Sequence, residues 1–102
     1  MSRMQKFWNE HAEWSQATFG TDAVRGPLGA LRHLEKEARE AQADITDRVE
    51  YADCLFLTLD AARRAGMSLD DLLDTAFEKL AVNKQRTWQK PTSDDMPIEH
   101  AR

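Results

Sequence analysis

Apolar residues recur along most of this chain at helical spacing, and that periodicity decides its fold class. In the first block, residues 2–18, Met4, Phe7, Trp8, His11 and Trp14 follow the i, i+3, i+4, i+7 pattern of one helix face. A loop containing Gly20 and Gly26 follows, and Pro27 suits the first turn of a second helix over residues 27–44. Leu28, Leu31, Leu34, Ala38 and Ala41 line one side of that helix. A third helix is expected over residues 47–65. Its apolar residues, from Tyr51 through Leu55, Phe56, Leu57 and Leu59 to Ala62, go nearly all round, as in a central buried helix. Gly66 suits the position just past its end. Ser68 and Asp71 then give the S-x-x-D start of a fourth helix over residues 68–88, with Leu69, Leu72, Leu73, Ala76, Phe77, Leu80 and Ala81 facing inward. Residues 89–102 are polar, hold Pro91 and Pro97, and read as an irregular tail. A small all-α four-helix bundle is the expected architecture, with one domain over residues 1–88.

Charge narrows the class of partner. The chain has 14 Lys+Arg against 18 Asp+Glu, a net charge of −4, and no basic block. A duplex nucleic acid held by phosphate attraction is therefore not expected. No apolar run approaches the ~20 residues of a membrane span, and the first residues carry no signal-peptide pattern. Cys54 is the single cysteine, which fits a reducing compartment, and it reads as a small buried hydrophobe. These features point to a soluble cytoplasmic protein.

The acids are not evenly spread. On the second helix Glu37 and Glu40 share a narrow stripe, with His33 and Asp44 in the same arc. On the third, Glu50 and Asp53 share a face and Asp60 lies two turns further along it. A tight turn makes these helices antiparallel neighbours, so both stripes can face one groove. Any one such pair reads equally as a solvated helix face, and Asp47 with Glu50 as a helix start. Glu50 and Asp53, however, lie on the most apolar helix, where an unpaired carboxylate is costly to bury. A hard divalent cation, Mg²⁺ or Mn²⁺, would satisfy such a cluster. Near the end of the fourth helix, Lys79, Asn83 and Arg86 share a face able to hold phosphates, or to complement a helix C-terminus. The aromatic residues Phe7, Trp8, Trp14 and Phe19 are core candidates, or a stacking surface for a base.

The pair K-E37-x-x-E40 followed by E50-x-x-D53 resembles the signature of the all-α, MazG-like nucleoside triphosphate pyrophosphohydrolases, with Lys36 where that motif often has a further Glu. The runs WSQATFG (14–20), RGPLGALRHLEKEAREA (25–41), EYADCLFLTLDAARRAG (50–66) and KLAVNKQRTW (79–88) look like the dATP/dGTP diphosphohydrolase branch of bacteria and their phages. The resemblance implies cleavage of a purine deoxynucleoside triphosphate to monophosphate and pyrophosphate. It implies Mg²⁺ or Mn²⁺ held by Glu37, Glu40, Glu50 and Asp53, with Glu40 as the proton acceptor. It assigns Lys79, Asn83 and Arg86 to phosphate or sugar, and Trp14 and Phe19 to the base. His33 and Asp60 stand one layer behind the ligands. Dimers or dimers of dimers are expected. The competing reading is a non-catalytic helical interaction or nucleotide-sensing protein with an acidic groove. Retention of all four acids together with Asn83 and Arg86 speaks against a pure scaffold.

Overall fold

The computed structural model describes residues 1–90 and 93–101, and these form four helices: α1 (Arg3–Phe19), α2 (Leu28–Ala43), α3 (Arg48–Arg64) and α4 (Leu69–Gln85). The all-α class expected from the periodicity is the class observed. No helix is long and apolar enough to cross a membrane.

Three of the four helices start where the sequence offers a side-chain acceptor for their free N–H groups, and α2 starts behind Pro27 without one. Ser2 Oγ accepts from Gln5 N at 3.0 Å, and Asp47 Oδ1 from Val49 N at 2.9 Å. Ser68 and Asp71 cap each other, through Asp71 N to Ser68 Oγ at 3.0 Å and Ser68 N to Asp71 Oδ2 at 2.9 Å. α3 ends in a Schellman turn. Gly66, at φ +97°, donates to Arg63 O, and Met67 N donates to Ala62 O.

The chain divides into two units, Met1–Leu72 and Leu73–Arg102. In the first, α2 and α3 pack along their length across a four-residue turn, and α1 packs on α3. Asp44 Oδ1 accepts from Thr46 N and Oγ1, and Tyr51 Oη donates to Ile45 O, which closes that turn tightly. Trp8, Leu59, Ala62 and Leu69 form the core, with Met4, Phe7 and Leu72 against it. Each buried Leu contributes about 1.5–3 kcal/mol.

Two expectations about burial need correction. Leu28 and Leu31 on α2 are exposed, as are Val49, Tyr51 and Leu55 on α3. α3 is central to its unit, yet Val49, Tyr51 and Leu55 leave part of it open to water. In the second unit Leu73, Phe77 and Leu80, expected inward, are exposed too. Periodicity marked these faces as apolar, and among the described residues they stay open to water.

The second unit also corrects a boundary. α4 stops at Gln85 rather than Trp88. Arg86 N and Trp88 Nε1 both donate to Asn83 O, ending the helix. Trp88 then forms an antiparallel bridge with His100, flanked by Gln89 N to Glu99 O at 3.0 Å and Ala101 N to Thr87 O at 2.6 Å. The expected irregular tail is thus tied back at these residues. Its positions 91, 92 and 102 lie outside the described residues.

Candidate functional site

The α2–α3 pairing brings Glu37, Glu40 and Glu50 together, with one carboxylate oxygen of each within 4.8 Å of the others. Glu37 is 9% exposed, Glu50 partly buried and Glu40 exposed. Glu37 Oε1 meets His33 Nε2 at 2.9 Å, one turn earlier on α2. Glu37 Oε2 and Glu50 Oε2 are buried with no hydrogen-bond donor among the described residues.

Three carboxylates this close disfavour one another's charge. The adjoining Glu40 carboxyl, with His33 and Glu50, holds the Glu37 carboxyl below the usual range. Glu37 in turn pushes Glu40 up. Burial pushes Glu50 up, reinforced by Glu37 and the other neighbouring acids. The orphaned oxygens and the all-oxygen donor set fit a hard divalent ion. Asp53 stands outside this group of three. It lines a neighbouring cavity that Glu37 also borders.

That cavity, of about 200 Å³, has Glu37 and Asp53 in its wall together with His33, Arg25, Phe19 and Trp14. It is smaller than the ~300–1,000 Å³ clefts that enclose a whole drug-sized ligand, so it suits one end of such a molecule. Trp14 and Phe19 meet edge to face at 5.2 Å and are each about half exposed, at 53% and 50%. His11, buried, stacks against Phe56 at 5.0 Å and Phe7 at 5.8 Å.

Asp60 also reaches the cavity wall, but its carboxylate is engaged away from the acids. Ser15 Oγ donates to it at 2.6 Å, Arg64 Nε at 3.0 Å, and Arg63 through Nη2. Arg64 carries the arrangement further, donating to Gly20 O at 2.9 Å and Arg25 O at 3.3 Å. Sequence reading missed Ser15, Arg25 and Arg64. The two arginines end α3 far along the helix from the acids, and no local pattern announces partners 39 to 49 residues away. Of the expected phosphate donors, Lys79 and Asn83 lie on α4 in the second unit. Arg86 lies just past its end, with Nη1 3.5 Å from Asn83 Oδ1.

The chain is similar to known proteins. A family model described as dATP/dGTP pyrophosphohydrolase matches residues 7–101. The chain is 46% identical over 96 residues to the Eaa protein of Salmonella phage P22, covering 94% of this chain and 29% of that protein. It is 36% identical over 78 residues to a dATP/dGTP diphosphohydrolase of Salmonella phage PMBT28, covering 76% of this chain and 25% of that one. The chain thus spans under a third of the length of these curated relatives. Among solved structures, it resembles the cyanophage S-2L MazG-like pyrophosphohydrolase bound to dGDP and three catalytic Mn²⁺ ions per active site. The TM-score is 0.77 and the identity 28%, with both chains covered in full.

Proposed function

The chain belongs to the dATP/dGTP pyrophosphohydrolase family, and from that premise we propose that it is a metal-dependent purine deoxynucleoside triphosphate pyrophosphohydrolase. Water adds in line at the α-phosphorus and the bond to the β-phosphate breaks, giving the monophosphate and pyrophosphate. The observation that carries this reading is the pair of buried, donorless oxygens on Glu37 and Glu50.

Glu37, Glu40 and Glu50 are the residues that would hold Mg²⁺ or Mn²⁺, with Asp53 as a fourth ligand. Such an ion, when bound, neutralises phosphate oxygens and lowers the pKa of a bound water. Glu40, exposed and with its carboxyl pushed up by Glu37, is proposed as the acceptor of the attacking water's proton. His33 fixes Glu37 through the 2.9 Å contact. Trp14 and Phe19 offer faces on which a purine can stack. Lys79, Asn83 and Arg86 are proposed as donors to phosphate or sugar oxygens. Asp60 acts more remotely, by fixing the loop that borders the cavity. The uncovered apolar side chains of α2, α3 and α4 support assembly as a homo-dimer or dimer of dimers.

The test is pyrophosphate release from each dNTP in turn with Mn²⁺ or Mg²⁺. Release from dATP and dGTP is expected. Silence with every dNTP would sink the enzyme reading.

A further inference from the structure

Among the described residues, Arg25 is the one permanent cation in the cavity wall. Its backbone carbonyl accepts from Arg64, yet its guanidinium has no ion-pair or hydrogen-bond partner among the described residues. The guanidinium lies across Gly29 in the first turns of α2. A Cβ built at Gly29 would stand 2.8 Å from Arg25 Nη2 and 3.3 Å from Cζ. The absence of a side chain at Gly29 therefore creates the space this charge occupies.

The loop that carries Arg25 is held at both ends. Arg64, fully enclosed, donates to Gly20 O at 2.9 Å and to Arg25 O at 3.3 Å. Arg25 N and Val24 N both donate to Thr21 O at 3.0 Å. A charge without a partner, on a loop pinned by a buried arginine, is preorganised for a ligand.

Position along α2 says which part of the ligand. Gly29, against which the guanidinium lies, precedes Glu37 by eight residues, about 12 Å of rise along the helix axis. Phosphates belong at the carboxylate end. The Arg25 end shares the cavity with Trp14 and Phe19.

We propose that Arg25 reads the major-groove edge of a purine base, donating to N7 of either purine and to O6 of guanine. This rests on the nucleotide reading above. N7 is an acceptor that adenine and guanine share and pyrimidines lack. At the adjacent position guanine presents the O6 acceptor and adenine an amino donor. A guanidinium fork matches two neighbouring acceptors. Arg25 thereby selects purines over pyrimidines, and dGTP over dATP.

The deciding experiment compares dGTP with 7-deaza-dGTP, in which C–H replaces N7. With the wild-type chain and Mn²⁺, kcat/KM for the deaza analogue is expected to fall about tenfold, the loss of one hydrogen bond to a charged donor. In Arg25→Ala the two substrates become equal, and the gap between dGTP and dATP closes. Gly29→Ala displaces the guanidinium while keeping its charge, and narrows the same ratios. Equal kcat/KM for the two guanine substrates in the wild type would overturn the proposal and leave the enzyme reading intact. If no dNTP is turned over, the enzyme reading falls instead. Calorimetric affinities for dGTP and 7-deaza-dGTP then decide the base contact, and equal values overturn it.

Discussion

Arg64 Nε donates to Asp60 Oδ2 at 3.0 Å with the Arg64 side chain fully enclosed and that of Asp60 only 9% exposed. Ser15 Oγ, itself buried, accepts from Arg64 Nη2 at 3.0 Å and donates to Asp60 Oδ1 at 2.6 Å. Burial opposes the charge on Asp60, and the hydrogen bonds from Ser15, Arg64 and Arg63 outweigh it, holding the carboxyl below its usual range. The network ties α1 to α3 and to the loop that borders the cavity.

Asp60→Asn therefore leaves the buried guanidinium with only the half-exposed Asp22, 3.5 Å away, as counter-charge. A loss of about 3–5 kcal/mol in unfolding free energy is expected by equilibrium denaturation. A loss below about 1 kcal/mol would mean that the fold does not depend on this pair.

His11 sets a pH dependence. Burial lowers its pKa below the ordinary 6.5; Asp60 opposes this, and Arg63 and Arg64 reinforce it. The unfolded chain takes up a proton near that ordinary value, while the folded chain resists until lower pH. His11 thus contributes full stability above pH 6.5, and the contribution declines as pH falls below it. Thermal midpoints should drop as pH falls below 6.5, and His11→Phe should flatten that limb. An unchanged slope in the variant would assign the drop to other groups.

The carboxylate cluster gives a prediction of opposite sign. Burial and neighbouring acids raise the Glu50 pKa, so without metal its charge costs stability at neutral pH and the cost is relieved on acidification. Glu50→Gln is expected to raise the metal-free melting temperature. For the wild type, free Mn²⁺ a hundredfold above its dissociation constant should add about 2.7 kcal/mol. The variant should lose that gain along with pyrophosphate release. A full Mn²⁺ response in Glu50→Gln would remove Glu50 from the metal centre.

These sites differ in how far the sequence revealed them. Glu37, Glu40 and Glu50 were legible because helical spacing and one tight turn suffice to bring them together. The helix starts at Asp47 and Ser68 were legible for the same reason, since caps act over three residues or fewer. The Ser15–Asp60–Arg64 network joins residues 45 and 49 positions apart, and no local pattern encodes that. The end of α4 depended on Trp88 pairing with His100, again a contact at long range. Periodicity identified apolar faces correctly as apolar. It could not say whether their cover lies in the same chain.

That last point carries its own prediction. Val49 is 64% exposed, Tyr51 58% and Leu55 45%, which leaves apolar surface on α3 open to water. A homo-dimer or dimer of dimers would remove it from water. Sedimentation equilibrium of the wild type should give two or four chain masses. Because Leu55 makes little use of the chain's own core, Leu55→Lys should keep the helical circular dichroism and lower the mass toward that of one chain. Burying an unpaired ammonium at a contact is what drives that dissociation. A wild type that sediments as one chain would overturn the assembly, and an unchanged mass in the variant would move the contact away from this face of α3.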